Sequence, residues 1–163
     1  MAAFLPSLVI LMRHAEKTGR LGDSGLSALG EARARALAAD WPGFLGGDPD
    51  ALIACRSTPK STRPVDTVQP LAQRLGLAIN DRWGTQDYAA VAAAVGAGRA
   101  YESRRVLICW RHDALPQLAA SFGVAAPMWP DDLYDVFWLL EDNGGALRLR
   151  IENQQIPIVD VDR

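Results

Sequence analysis

The chain is expected to fold as an α/β protein: a three-layer α/β/α sandwich with a mostly parallel central sheet and a C-terminal β-hairpin. Three observations carry that expectation. First, the runs Leu8-Val9-Ile10-Leu11-Met12 and Val106-Leu107-Ile108-Cys109-Trp110 are continuously apolar, which fits strands buried on both faces, as in a parallel sheet. Second, strand-like and helix-like segments alternate through most of the chain, the order that lays helices on a parallel sheet. Third, the tail breaks this alternation. Tyr134 to Leu140 and Ala146 to Ile151 are β-rich and flank Asn143-Gly144-Gly145, the pattern of a hairpin around a glycine turn.

The elements follow in order. A first strand runs from Leu8 to Met12, and a glycine-containing polar loop, Thr18 to Gly25, comes next. A helix is expected from Ser27, a good cap, to Asp40, with Trp41-Pro42-Gly43 as its stop. Ala51 to Cys55 reads as a short strand. Pro64 suits the first turn of a following helix that runs toward Gly76, and Pro70 should kink that helix or mark its true start. Leu77 to Asn80 fits an edge strand, Asp87 to Val95 an alanine-rich helix, and Val106 to Trp110 the second long strand. A helix is expected after His112, to about Phe122, with Pro116 near its first turn.

A length of 163 residues fits one domain spanning residues 1–163, and 49% apolar with 22% charged residues fits a globular chain. The net charge of −2 leaves no electrostatic footprint for nucleic acid or an anionic membrane. No apolar run approaches the ~20 residues of a membrane span. Met1 to Met12 lacks the basic start and cleavage site of a signal peptide, and cleavage there would delete the first strand. Cys55 and Cys109 fit small buried core residues in a reducing compartment, so a cytoplasmic location is expected. The sequence carries no internal repeat and no signal of oligomeric state.

Chemistry enters where the two long apolar runs end. One ends in Arg13-His14 and the other in Arg111-His112, and these are the only two histidines in the chain. Ligands of open α/β sheets bind beyond the carboxyl ends of the strands, so both histidines are expected at one sheet edge. Imidazole beside guanidinium suggests phosphate chemistry, because guanidinium matches phosphate oxygens in a bidentate fork and imidazole can be nucleophile or proton carrier. Other phosphate chemistries fit poorly. A cysteine phosphatase needs an arginine six positions after its thiolate, and Ser61 and Leu115 stand there. No His-Glu-x-x-His cluster, glycine-rich P-loop or dinucleotide fingerprint is present, so neither a metal nor a cofactor is expected.

Arg13-His14-Ala15-Glu16-Lys17 resembles the signature of the histidine phosphatase superfamily, an Arg-His-Gly or Arg-His-Ala tripeptide after the first strand. That superfamily includes phosphoglycerate mutases, phosphohistidine phosphatases and small phosphoesterases. Three further blocks are similar in family order. Leu26-Ser27-Ala28-Leu29-Gly30 opens a helix, Arg63-Pro64-Val65-Asp66-Thr67 supplies a second arginine, and Val106 to His112 ends in a second histidine. Together they run from residue 8 to residue 112, about two-thirds of the chain.

The resemblance implies that Arg13, His14, Arg63 and His112 bind phosphate and catalyse its transfer. His14 would attack phosphorus in line, the two arginines and His112 would offset the phosphoryl charge without a metal, and water would hydrolyse the phosphohistidine. The leaving oxygen needs a proton, and three acids are available. Asp113 follows the second histidine as in the acid phosphatase branch and is favoured. Asp81 resembles the mutase acid at a spacing one residue short, and Glu16 fits a residue that orders the first loop. The chain departs from the pattern in two places. One extra residue lies between Pro59 and Arg63, so the loop before Arg63 must bulge or the helix must start later. Bulky Trp110 and charged Arg111 precede His112, with Trp110 either core or pocket wall and Arg111 a surface charge.

The expected function is a metal-independent phosphatase acting through phosphohistidine on a small phosphorylated substrate or a phosphoprotein. Two alternatives stay open: a phosphoglycerate mutase-type phosphoryl transferase, against which the lack of long insertions argues, and a non-catalytic phospho-ligand binding module of the same fold.

Overall fold

The computed structural model describes residues 4–158. Six strands form one sheet: β1 (Leu8–Arg13), β2 (Ala51–Ala54), β3 (Ile79–Asn80), β4 (Arg105–Trp110), β5 (Val136–Asp142) and β6 (Leu147–Asn153). Four helices accompany them: α1 (Ala28–Ala39), α2 (Arg63–Leu75), α3 (Tyr88–Ala97) and α4 (Leu115–Ser121). The strand order is β3-β2-β4-β1-β5-β6. β1 to β4 are mutually parallel, and β5 and β6 form an antiparallel hairpin added beside β1.

Alternation along the central strands builds two cores. Val9 and Leu11 of β1 with Val106, Ile108 and Trp110 of β4 pack against Val91 and Val95 of α3 and Leu115 and Leu118 of α4. Leu8, Ile10 and Met12 with Leu107 and Cys109 pack against Leu37 of α1 and Val68 and Leu71 of α2. Both faces are therefore covered, which is why β1 and β4 read as continuous apolar runs. At roughly 1.5–3 kcal/mol per large buried aliphatic side chain, these two layers dominate the stability of the fold.

The boundaries differ from the sequence reading in instructive ways. α2 starts at Arg63 and runs through Pro70 to Leu75, so Pro70 is neither its start nor its end. The ring removes one backbone donor, toward the Asp66 carbonyl, and the apolar face of α2 holds the helix together across that gap. α4 is short, because residues 111–114 form a turn rather than helix. β3 is only two residues long, and both hairpin strands end two residues later than expected. Trp110 is fully buried and donates its Nε1–H to the Thr85 carbonyl at 3.0 Å, so it is core rather than pocket wall. Cys55 and Cys109 are buried free thiols.

Candidate active site

Because β1 and β4 are adjacent and parallel, with Arg13 in register with Trp110, their ends deliver both Arg-His pairs to one edge of the sheet. The backbone N–H of His14 donates to the Trp110 carbonyl at 3.1 Å, which extends the pairing to the histidine itself. A cavity of about 890 Å³ opens there, and Arg13, His14, Arg63 and His112 all line it, with Lys17, Lys60 and Arg111 also in its wall. No carboxylate belongs to this lining.

His14 is 5% exposed. Its Nδ1 lies 2.7 Å from the Ala15 carbonyl oxygen, which can only accept. Nδ1 therefore carries the ring proton, and Nε2 keeps its lone pair. Burial, with Arg13, Arg63 and His112 adding to it, pushes the imidazole pKa down to about 4. The ring is neutral at physiological pH, as a nucleophile must be.

Arg13 is 1% exposed. Its guanidinium stacks on the Tyr134 ring at 3.9 Å from the centroid, and Nη1 donates to the Asp131 backbone carbonyl. Nε and Nη2 have no hydrogen-bond partner among the described residues. Burial lowers the Arg13 pKa, against the opposing charges of Tyr134 and Asp131. Buried, unpaired guanidinium N–H groups are costly and suit an anionic ligand.

Arg63 is half-buried. Nε donates to the Gly25 carbonyl at 3.0 Å, Nη1 reaches Ser61 Oγ at 3.4 Å, and Nη2 donates to the Asp23 carbonyl. It thus ties down the 18–25 loop, while each η nitrogen retains one further N–H. The extra residue before it is absorbed by a tight turn in which Thr58 and Ser61 exchange backbone hydrogen bonds at 2.9 and 3.1 Å. The chain bulges there, and α2 still begins at the arginine.

Two family-like motifs acquire physical reasons. Thr67 Oγ1 accepts from the Ala15 N–H at 2.8 Å and donates to the Arg63 carbonyl at 2.7 Å, linking the first turn of α2 to the residue after His14. Ser27 caps α1 by accepting from the Gly30 N–H at 3.1 Å, and its own N–H donates to the Glu16 carbonyl at 2.9 Å. Glu16 forms a buried pair with Arg33, through Nε at 2.9 and 3.0 Å and Nη2 at 2.7 Å. It orders the loop, and its carboxylate is committed to that pair.

Asp113, the acid favoured from sequence, and its alternative Asp81 lie outside the cavity lining, as do all other carboxylates. Asp113 is exposed and pairs with Arg111 at 3.0 and 3.2 Å, and Asp81 is exposed in the segment after β3. Arg111 is exposed yet contributes to the cavity wall. Burial lowers the pKa of His112, whose Nε2 stands 3.1 Å from Asp131 Oδ1. Asp131 Oδ1 also lies 3.8 Å from Arg13 Nη2. Sequence reasoning missed both Asp131 and Tyr134, which belong to a 129–134 segment without a motif and reach the site only through the hairpin's placement beside β1.

Among the described residues, no group of three or more His, Cys, Asp or Glu side chains is placed to hold a metal ion. None of their helices is long and apolar enough to cross a membrane.

Solved structures match this architecture over nearly its whole length. The protein histidine phosphatase SixA, complexed with tungstate, is 16% identical, with a TM-score of 0.64 over 90% of this chain and 97% of that one. A phosphoglycerate mutase from Plasmodium falciparum is 13% identical, with a TM-score of 0.58 over 96% and 97%. This is the histidine phosphatase fold. A mycobacterial glucosyl-3-phosphoglycerate phosphatase shares it at 17% identity and a TM-score of 0.57, over 92% and 99%. No protein-family model matches the chain, and no curated protein matches it by sequence.

Proposed function

We propose that this protein is a metal-independent phosphatase of the histidine phosphatase superfamily, hydrolysing a phosphoester or phosphoamidate through a phosphohistidine on His14. The observation that carries the reading is the state of His14: a buried, neutral ring whose Nδ1–H is held by the Ala15 carbonyl, leaving the Nε2 lone pair as nucleophile. Nε2 would form the N–P bond as the leaving oxygen takes the P–O electron pair. The free N–H groups of Arg13, the remaining N–H groups of Arg63, and His112 would grip the equatorial oxygens and offset their charge. Water then attacks the phosphohistidine, and the N–P electron pair returns to Nε2.

The histidine phosphatase fold and the four ordered sequence motifs support the same reading. The cavity is open and bordered by Lys17, Lys60 and Arg111, which suits a small phosphorylated molecule or a phosphorylated side chain on a protein. A cytoplasmic location belongs to the same proposal.

A phosphate-release assay across phosphoesters and a phosphoamidate, with a mutase assay beside it, tests the reading. Phosphate release by the wild type that is absent in a folded His14→Ala variant is expected. Transfer to an acceptor without release would support the mutase, and binding of phosphate without turnover would support a binding module.

A further inference from the structure

The leaving oxygen of an alkyl phosphoester departs as a strong base unless it is protonated, and Asp113, the acid favoured from sequence, pairs with Arg111 rather than with Arg13 or His112. We propose that Asp131 is the proton donor to the leaving group, an inference that rests on the phosphatase reading above.

Three observations place it. Asp131 Oδ1 lies 3.1 Å from Nε2 of His112 and 3.8 Å from Nη2 of Arg13, in contact with two groups expected to hold the phosphoryl oxygens. No other carboxylate is recorded within ion-pairing distance of either residue among those described. The backbone of Asp131 is fixed. Its carbonyl accepts from Arg13 Nη1, and it sits in a turn closed by the Leu133 N–H to the Pro130 carbonyl at 3.1 Å. That turn is anchored in turn by Trp129, whose Nε1–H donates to the Leu133 carbonyl at 2.8 Å and whose ring packs on Trp138 at 4.8 Å. Finally, the side chain is 80% exposed, so a leaving group and water can reach it.

The step balances. His14 Nε2 forms the N–P bond, the P–O bond breaks, and the leaving oxygen takes both the electron pair and the Asp131 proton. The resulting carboxylate then accepts a proton from the water that attacks the phosphohistidine, which restores Asp131 and releases phosphate. Among the described residues, Arg13 and His112 are the charged or titratable groups that face this carboxyl group.

The test is a series of phosphoesters whose leaving groups range from nitrophenol through phenol to a simple alcohol, assayed with wild type, Asp131→Asn, Asp131→Glu and His14→Ala. Asp131→Asn should lose about 10²-fold or more on the alcohol ester. The loss should be much smaller on the nitrophenyl ester, whose leaving group needs no proton, and Asp131→Glu should recover part of the loss on the alcohol ester. An equal loss across the series would overturn the inference. So would faster turnover on all esters with tighter competition by inorganic phosphate, since Asp131 would then only occupy the anion site. A wild type that hydrolyses none of the series, or a His14→Ala variant that hydrolyses all of it, instead removes the phosphatase reading and the inference with it.

Discussion

Gly30 lies so close to Glu16 that a β-carbon on it would stand 2.2 Å from the Glu16 carbonyl oxygen. The start of α1 is thereby pressed against the residue two positions after His14, with backbone on backbone. Neither side has a flexible side chain that could move away. Gly30→Ala should destabilise the fold by about 1–3 kcal/mol or more and shift the loop that holds His14. Denaturant unfolding and phosphate release, measured on the same sample, should both fall. An alanine variant of wild-type stability would show that α1 can move without disturbing the site.

Thr67 holds the Ala15 N–H from the far side. Thr67→Val keeps the shape and leaves that buried donor without a partner, a cost of about 1–3 kcal/mol. Thr67→Ser should retain most of the stability and activity. If valine and serine behave alike, the hydroxyl is not what positions the residue after His14.

Glu16 and Arg33 are nearly buried together, with side chains 12% and 10% exposed. Removing one partner strands the other charge, so Glu16→Ala should cost about 3–5 kcal/mol. Replacing both by apolar residues of similar size should cost much less. Equal destabilisation by the single and double variants would mean that the charge contributes nothing beyond packing.

The titration of His14 gives a signed pH effect. Its pKa falls from an ordinary 6.5 to about 4 in the folded protein. Between those values the unfolded chain takes up a proton that the native ring refuses. Stability therefore drops as pH falls from 6.5 toward 4, and this contribution levels off below 4. The size is on the order of 3 kcal/mol. His14→Asn should abolish that component of the stability–pH curve. His14 should also stay neutral at pH 5, so any loss of turnover between pH 7 and 5 must come from another group. A wild type and variant with parallel stability curves would contradict a buried neutral His14.

Charge at phosphorus is expected to be offset by Arg13, Arg63 and His112 alone. Turnover should therefore persist in excess chelator. Loss on chelation, with recovery on adding a divalent ion, would point to a metal-assisted reaction.

Much of the candidate site was legible because its residues end regular elements. An apolar run that stops at Arg-His says where the side chains emerge, and two such runs in parallel strands meet at one edge. Glycine and threonine in the flanking motifs were legible as pattern, but their reasons are contacts across the chain: Gly30 on Glu16, and Thr67 on Ala15. The commitment of Asp113 to Arg111 is a side-chain matter that adjacency to His112 does not reveal. Asp131 and Tyr134 were invisible for a different reason. They sit in an irregular turn just before β5, and only the antiparallel pairing of β5 with β1 carries that turn over Arg13. Pro70 does not start α2, because intrinsic propensity loses there to the packing of α2 on the sheet.

The most direct measurement is a rapid quench during turnover, followed by mapping of acid-labile, base-stable phosphate on the protein. The phosphoryl group should be found on His14 in the wild type. It should be absent from His14→Ala and accumulate more slowly in His112→Ala. Steady phosphate release with no phosphorylated His14 at any time, or an active His14→Ala variant, would contradict the covalent account.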